Sequence, residues 1–264
     1  MKEMIHALWA YRYFILSSVT NEFRSRFIRS KLGGLWMVIH PLAQVLVYAL
    51  ILSQIMRAKL PGIDSQYAYP IYILAGMVGW SLFFEIITRS LTIFIDNANL
   101  LKKISFPKLA LPFVIIGSSL VNFAILTSMM FIVFSFLGHT PYHAIYWLPL
   151  LVLLTLALAA GLGLILGTLN VFIRDVGQVM TVVMQFWFWL TPVVYTLSIV
   201  PKEYHHLFFL NPLTGIISGY QNVLAYDKAP DLSLLIYPAT LALFSLLLAL
   251  VLFKKANKEM ADLL

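Results

Sequence analysis

Residues 147–169 read WLPLLVLLTLALAAGLGLILGTL, twenty-three positions without a charged side chain. A helix needs about 20 apolar residues to cross a hydrocarbon core. Gly161, Gly163 and Gly167 would give such a helix a face that a neighbour can approach closely. Outward from this block, comparable apolar runs cover 34–56, 70–93, 111–137, 179–200 and 234–253, separated by Pro, Gly and charged residues. Hydrophobic residues make up 61% of the 264 positions and charged residues only 11%, against about 25% charged in an average soluble domain. This pattern predicts an all-α integral membrane protein with six transmembrane helices.

Lys and Arg set the expected orientation. Fourteen of the 18 fall on one side: Lys2, Arg12, Arg24, Arg26, Arg29, Lys31, Arg89, Lys102, Lys103, Lys108, Arg174, Lys254, Lys255 and Lys258. Arg57, Lys59, Lys202 and Lys228 fall on the other. Both termini are therefore expected in the cytoplasm, and the net charge of +7 follows from this bias instead of marking a nucleic-acid binder. The first sustained apolar run starts only near Leu35, with no cleavage-site pattern before it, so the first span is expected to act as the insertion signal. The chain has no cysteine, which excludes disulfides, thiolate metal sites and cysteine nucleophiles.

Four segments outside the spans stand out. Residues 1–32 predict an amphipathic interface helix, with Ile5, Leu8, Trp9, Ile15, Leu16, Val19, Phe23 and Phe27 in one arc, although Arg12 and Arg26 fall inside the arc and Phe14 outside it. Its basic residues would sit beside anionic lipid, and the bland alternative is a membrane anchor with no further role. The inner loop 96–110 predicts a short helix capped by Asn97 or Asn99 and stopped by Pro107. Its Leu100, Leu101, Ile104 and Phe106, flanked by Lys102, Lys103 and Lys108, suit docking into a soluble partner; the bland alternative is a loop dipping into the interface. Residues 170–176 form a tight inner turn in which Asp175, next to Arg174, is placed to cap the next helix. The outer segment 196–231 is too apolar for a free loop and is broken by Pro201, Pro212, Gly215 and Gly219. It predicts two short re-entrant or surface helices, and irregular backbone at that depth must be buried in protein or line a water path.

Ionisable groups within the spans are sparse. Glu85 and Arg89 stand four apart and can pair on one helix face. No chain of carboxylates or histidines crosses the membrane, which argues against proton coupling. His139, His143, His205 and His206 have no converging carboxylate in sequence, so no metal site is expected. The glycines of 161–167 lack the lysine of a phosphate-binding loop, so the chain is not expected to hydrolyse ATP by itself. The fifth span carries a polar and aromatic stripe: Gln178, Thr181, Gln185, Trp189 and Pro192 at helical spacing, with Phe186, Trp187, Phe188 and Tyr195 around them. The first span aligns His40, Gln44 and Tyr48. These groups suit helix packing, interface anchoring, or a path whose ring faces and hydrogen bonds accommodate sugars.

The order of these pieces carries a resemblance. It consists of the interfacial helix, six spans and the loop Asn97-Ala98-Asn99-Leu100-Leu101-Lys102-Lys103-Ile104-Ser105-Phe106-Pro107. Then come the turn Phe172-Ile173-Arg174-Asp175-Val176, the run Thr191-Pro192-Val193-Val194-Tyr195, and Leu210-Asn211-Pro212-Leu213-Thr214-Gly215-Ile216-Ile217. Together they resemble the permease subunit of ABC exporters for O-antigen, teichoic acid and capsule. The resemblance implies a homodimer in the cytoplasmic membrane with two separate ATPase subunits, which would bind ATP and Mg, and no cofactor in this chain. It makes residues 99–108 the coupling helix, residues 1–32 the gate helix, residues 33–264 the transmembrane domain, and 196–231 the outer gate. Spans one and five, through Gln44, Tyr48, Gln185, Phe186, Trp187, Trp189 and Tyr195, would line the channel. The implied substrate is an undecaprenyl-diphosphate-linked glycan, met at its diphosphate by groups such as Arg24, Arg26, Arg29 and Lys31. The remaining readings are an exporter of a small drug or lipid, and a membrane-embedded glycan or lipid transferase.

Overall fold

The computed structural model describes residues 11–27, 67–103, 108–256 and 259–260, together with positions 35, 36, 39, 42, 43, 46 and 47. Nine α-helices occupy these segments. They are α1 (Arg12–Phe27), α2 (Ala68–Asp96), α3 (Ala98–Lys103), α4 (Ala110–Phe136), α5 (Leu148–Phe172), α6 (Asp175–Leu190), α7 (His205–Phe209), α8 (Pro212–Leu224) and α9 (Leu232–Ala256). Single 3-10 turns at Ile145–Trp147, Leu197–Ile199 and Lys202–Tyr204 join them, and the described residues contain no strand. The end of the bundle bearing α7 and α8, which the lysine bias assigns to the outside, is called the outer end below.

Four helices among the described residues are long and apolar enough to cross a membrane: Ala68–Asp96, Ala110–Phe136, Ile145–Phe172 and Leu232–Ala256. They match the second, third, fourth and sixth expected spans to within a few residues. Most of the first expected span falls outside the described residues. The fifth differs from expectation. Instead of running over 179–200, α6 starts at Asp175 and ends at Leu190 after 16 residues, a length of about 24 Å at 1.5 Å per residue. Pro192 is the reason: it forces the residue before it out of the helical region, and Thr191 is extended, with ψ of 131°.

The post of the bundle is α2, which packs against α4, α5, α6 and α8, while α9 packs on α5 and α8 and α1 lies along α4. Glycines make these approaches possible, as the 161–167 spacing implies. A Cβ on Gly167 would run into the carbonyl oxygen of Ser90, and one on Gly163 would stand 2.7 Å from the Ser90 hydroxyl. On the other face of α5, a Cβ on Gly161 would meet the Ser245 hydroxyl and, at 2.8 Å, the Leu246 nitrogen of α9. Thus α5 is wedged between two helices that both need its side-chain-free positions.

The polar groups at helix ends have partners that local pattern does not predict. At the 170–176 turn, Gly177 N–H donates to Asn170 Oδ1 at 2.8 Å, and Asn170 Nδ2 donates to the Leu91 carbonyl at 2.7 Å. The buried Asn170, not Asp175, therefore caps α6 and ties the turn to α2. Asp175 is already inside the first turn and exposed, as is Arg174. At the end of α2, Asn97 Nδ2 donates to the Ile93 carbonyl at 2.8 Å. Asn97 so closes α2 instead of capping α3.

Gly167→Ala is expected to destabilise the protein. Crowding a close-packed interface costs about 1–3 kcal/mol, more than the roughly 1 kcal/mol gained by replacing a mid-helix glycine. Thermal unfolding of the detergent-solubilised variant, followed by loss of the monodisperse species, should shift to lower temperature.

Candidate functional site

In the described chain α6 is only lightly covered: Met184 is its one fully buried residue. Its aromatic run splits in two. Phe186 and Trp189 are 66% and 64% exposed, on the same open face as Gln178, Thr181, Val182 and Gln185. Trp187 and Phe188 turn inward onto α2, the first edge-on to Phe83 and the second edge-on to Trp80, each with centroids 5.3 Å apart. A face with two glutamine amides is poorly matched to lipid tails, where an unpaired amide is costly. It is suited to water, to another protein surface or to a polar ligand. Gln44 and Tyr48, expected to share this path, lie outside the described residues.

Above α6 the chain turns through non-helical backbone and then re-enters as α8. Gln221 Nε2 donates to the Pro192 carbonyl at 2.9 Å, and Tyr69 Oη donates to the Val194 carbonyl at 2.7 Å. Tyr195, half-buried, donates its hydroxyl to the Trp189 carbonyl at 2.7 Å and sets its ring edge-on to Phe208. The inner part of α8 is deep: the Tyr220 ring lies against Gly79 of α2, eleven residues below Ala68, about 16 Å down the helix. Two helices, α7 and α8, therefore occupy the outer segment where two were expected, and α8 is inserted between the spans.

Asn211 joins these parts. Its Oδ1 accepts from Trp187 Nε1 at 2.9 Å and from Leu213 N–H at 3.0 Å, and its Nδ2 donates to Thr191 Oγ1 at 2.8 Å. A cleft of about 380 Å³ opens beside it, lined by Trp187, Leu190, Leu207, Phe208, Leu210 and Pro212. Trp187 is thus engaged with Asn211 at the start of α8 instead of standing on the open face. The expected motif contained Asn211 without giving it a role. The signal was present: an asparagine followed by proline is a helix start, with the cap and N1 residue in order.

A second clasp holds the outer end. Asp227, at φ +50°, accepts from the backbone N–H of His143 and Ala144 at 2.9 and 2.8 Å, and meets His143 Nδ1 at 2.7 Å. The sequence shows no carboxylate near His143; folding brings one from 84 residues away. Burial alone would raise the Asp227 carboxyl, but the His143 ring and the Ala144 and His143 amides outweigh it and hold the group below the usual carboxylate range.

At the inner end, α3 follows α2 after a single residue. Asn99 and Lys102 are exposed, Leu100 is half-buried and Leu101 is turned into the bundle. The side chain of Lys103 and all of Ile104, Phe106 and Pro107 lie outside the described residues. On α1, Arg24 is exposed; the Arg26 side chain, Arg29 and Lys31 lie outside the described residues. Glu85 and Arg89 pair as their spacing predicts, Oε1 to Nη1 at 3.1 Å, and Arg89 also holds Glu22 of α1.

With this arrangement in view, residues 13–225 match the ABC-2 type transporter family. The chain belongs to that family. It is similar to an O-antigen export system permease protein of Myxococcus xanthus, 28% identical over 99% of both chains. A Klebsiella pneumoniae protein of the same description is 29% identical over 81% of each chain. An Escherichia coli polysialic acid transport protein is 23% identical over 91% of this chain and 92% of its own length. The matched region of this ABC-2 chain runs from α1 through the whole of α8, so the open face of α6 and the Asn211 junction are both within it.

Asn211→Ala should loosen the junction between α6 and α8. Loss of a helix cap costs about 1 kcal/mol, and the Trp187 N–H loses its acceptor as well. Asn211→Asp keeps the acceptor and should fall between Ala and wild type in thermal stability. The clasp at Asp227 has a definite pH sign. A depressed folded-state pKa stabilises fully above the unfolded value and is lost as pH falls through the folded one. The melting-temperature gap between wild type and Asp227→Asn should therefore be present at about pH 5 and narrow as pH falls below about 4.

Proposed function

We propose that the chain is the channel-forming subunit of an ATP-driven exporter of lipid-linked polysaccharide, acting as a homodimer with two cytoplasmic ATPase subunits in the cytoplasmic membrane. The observation that carries this reading is the open face of α6. Gln178, Gln185, Phe186 and Trp189 give it amides and large ring faces together, on a helix of only 16 residues. The end-to-end similarity to O-antigen and polysialic acid permeases points the same way.

In this mechanism the face of α6, completed by Gln44 and Tyr48 and by a second copy, lines a path. Ring faces stack on sugar rings, and amides exchange hydrogen bonds with hydroxyls as the polymer moves. Neither contact requires a particular sugar order, so the polymer can slide. The outer gate built on Asn211 closes the path at rest. Asn99 to Pro107 meet the ATPase, and ATP and Mg are bound there, in the partner. Arg24, Arg26, Arg29 and Lys31 supply positive charge where a diphosphate would enter from the inner leaflet. Both termini lie in the cytoplasm, as the lysine and arginine bias requires.

Co-expression with the cognate ATPase tests the reading. Phe106→Asp should abolish copurification of the ATPase. Phe186→Ala with Trp189→Ala should leave the complex and its ATP hydrolysis intact and reduce glycan export at least tenfold, because two stacking contacts worth about 1 kcal/mol or more each are lost. Trp187→Ala should instead lower thermal stability. Export indifferent to the Phe186 and Trp189 changes would remove α6 as the path.

A further inference from the structure

At the inner side of the bundle, three helices meet through polar side chains where apolar ones would be expected. Arg89 of α2 donates through Nη2 to Glu22 Oε2 at 2.7 Å and through Nη1 to Glu85 Oε1 at 3.1 Å. From α4, Ser118 Oγ donates to the same Glu22 oxygen at 2.6 Å, and Asn122 Nδ2 donates to the same Glu85 oxygen at 2.7 Å. One guanidinium therefore bridges two carboxylates, and each carboxylate is tied to α4 by a second donor. The charged side chains are only 23–25% exposed. Beside them Gly117 brings α4 close to α1: a Cβ there would stand 2.9 Å from Val19 Cγ2.

We propose that Glu22 is a positioning residue for export, which through Arg89 and Ser118 makes α1 move as one body with the two helices that carry α3. This rests on the reading of α3 as the start of the ATPase contact. The connectivity gives the reason. Arg89 lies seven residues before the end of α2, α3 follows after Asn97, and Ser118 lies eight residues into α4. The segment that contains α3 is thus bracketed by the two helices that grip Glu22. On the far side of the lock a cleft of about 450 Å³ separates α1 from the α3 end, with Asn21, Ser25, Thr92, Asp96 and Leu100 among its walls. The cleft leaves room for movement, and the lock is the polar joint at its edge.

Stability alone does not explain this choice of residues. An ionic contact sheltered from water gains little over apolar packing of the same volume, whereas separating its partners is strongly unfavourable. Such a cluster specifies register: it is complete only when α1, α2 and α4 stand in one arrangement, and any slide of α1 strands a carboxylate or the guanidinium. A helix held so follows its neighbours in discrete steps. An apolar seam would let it slip.

The experiment uses the full chain with its ATPase in cells and in reconstituted vesicles. The chain has no cysteine, so a Val19→Cys, Gly117→Cys pair reports the α1–α4 contact by disulfide formation without background. In Glu22→Gln we expect cross-linking to slow and glycan exported per ATP hydrolysed to fall about tenfold, the scale of one charge-assisted hydrogen bond, while ATPase copurification and hydrolysis persist. The exchange Glu22→Arg with Arg89→Glu keeps one guanidinium between two carboxylates and should recover most of both readouts. Unchanged export per ATP in Glu22→Gln overturns the proposal, as does a loss that the exchange leaves unrepaired. If Glu22→Gln does not fold, Ser118→Ala decides: it removes one donor from Glu22 and should give a smaller loss of coupling, and no loss overturns the idea. Failure of the wild-type chain to bind an ATPase would instead remove the exporter reading. Cross-linking would then still show whether Glu22 fixes α1: retained slowing in Glu22→Gln supports the lock, and unchanged cross-linking overturns it.

Discussion

A backbone N–H or C=O at membrane depth must find its partner in the protein or in a water path, and the break after α6 is where this demand shapes the structure. Pro192 ends the helix and frees the carbonyls of the turn. They are not left open: Gln221 takes the Pro192 oxygen, Tyr69 takes that of Val194, and the Tyr195 hydroxyl returns to that of Trp189. The donors come from α2, α8 and the turn itself, so α6 can stop short only because α8 is inserted and α2 is adjacent. Gly76 and Gly79 permit that insertion, since a side chain on either would collide with Gln221 or Tyr220. The inserted α8 is thus the solution to a hydrogen-bonding problem created by one proline.

The two ends of the bundle are built on different physics. Around α8 the outer end is close-packed: the helix is buried along nearly its whole length, and Thr214 and Gln221 spend their polar groups on backbone carbonyls. Interiors of this kind do not deform gradually, because small gaps forfeit much of the dispersion energy. The inner end is joined through charged and amide side chains beside an open cleft. Helices held in that way keep one register with respect to one another. The cleft beside the joint leaves room for α1, α2 and α4 to shift together, room that the seam between α2 and α8 lacks.

Much of the fold was legible because hydrophobic block length is a direct physical requirement. Four spans fell within a few residues of their expected limits, and the re-entrant pair was visible in an outer segment too apolar for solvent. The failures also have causes. The fifth span was extended to residue 200 because Pro192 sits in an apolar run, where composition continues although geometry does not. Asp175 was given the cap that Asn170 holds, since both are near the turn and only packing brings the Asn170 amide between Leu91 and Gly177. The rings of α6 were grouped together, although Trp187 and Trp189 are two residues apart and so about 200° apart around a helix. One faces α2 and the other is open. The pairs Glu22 with Arg89 and His143 with Asp227 lie 67 and 84 residues apart, beyond the reach of any local pattern.

In an exporter of the proposed kind, energy enters at α3 and the polymer passes along α6, and α2 touches both of these and α8. Its 29 residues span about 43 Å. Along it the contacts come in order: Tyr69, Gly76 and Gly79 at the gate, Trp80 and Phe83 under Phe188 and Trp187, then Glu85 and Arg89 at the lock. A helix without an internal proline break is stiff over this distance, and Pro70 stands in its first turn, where proline interrupts no hydrogen bond. Tilting α2 at its inner end must then shift the seat of Trp187. The indole N–H of Trp187 is also the donor that holds Asn211 and hence the start of α8. The same side chain that fixes α6 against α2 fixes the gate against α6, so opening the gate and reorienting the α6 face are one movement, driven from the end of α2 where Arg89 is held.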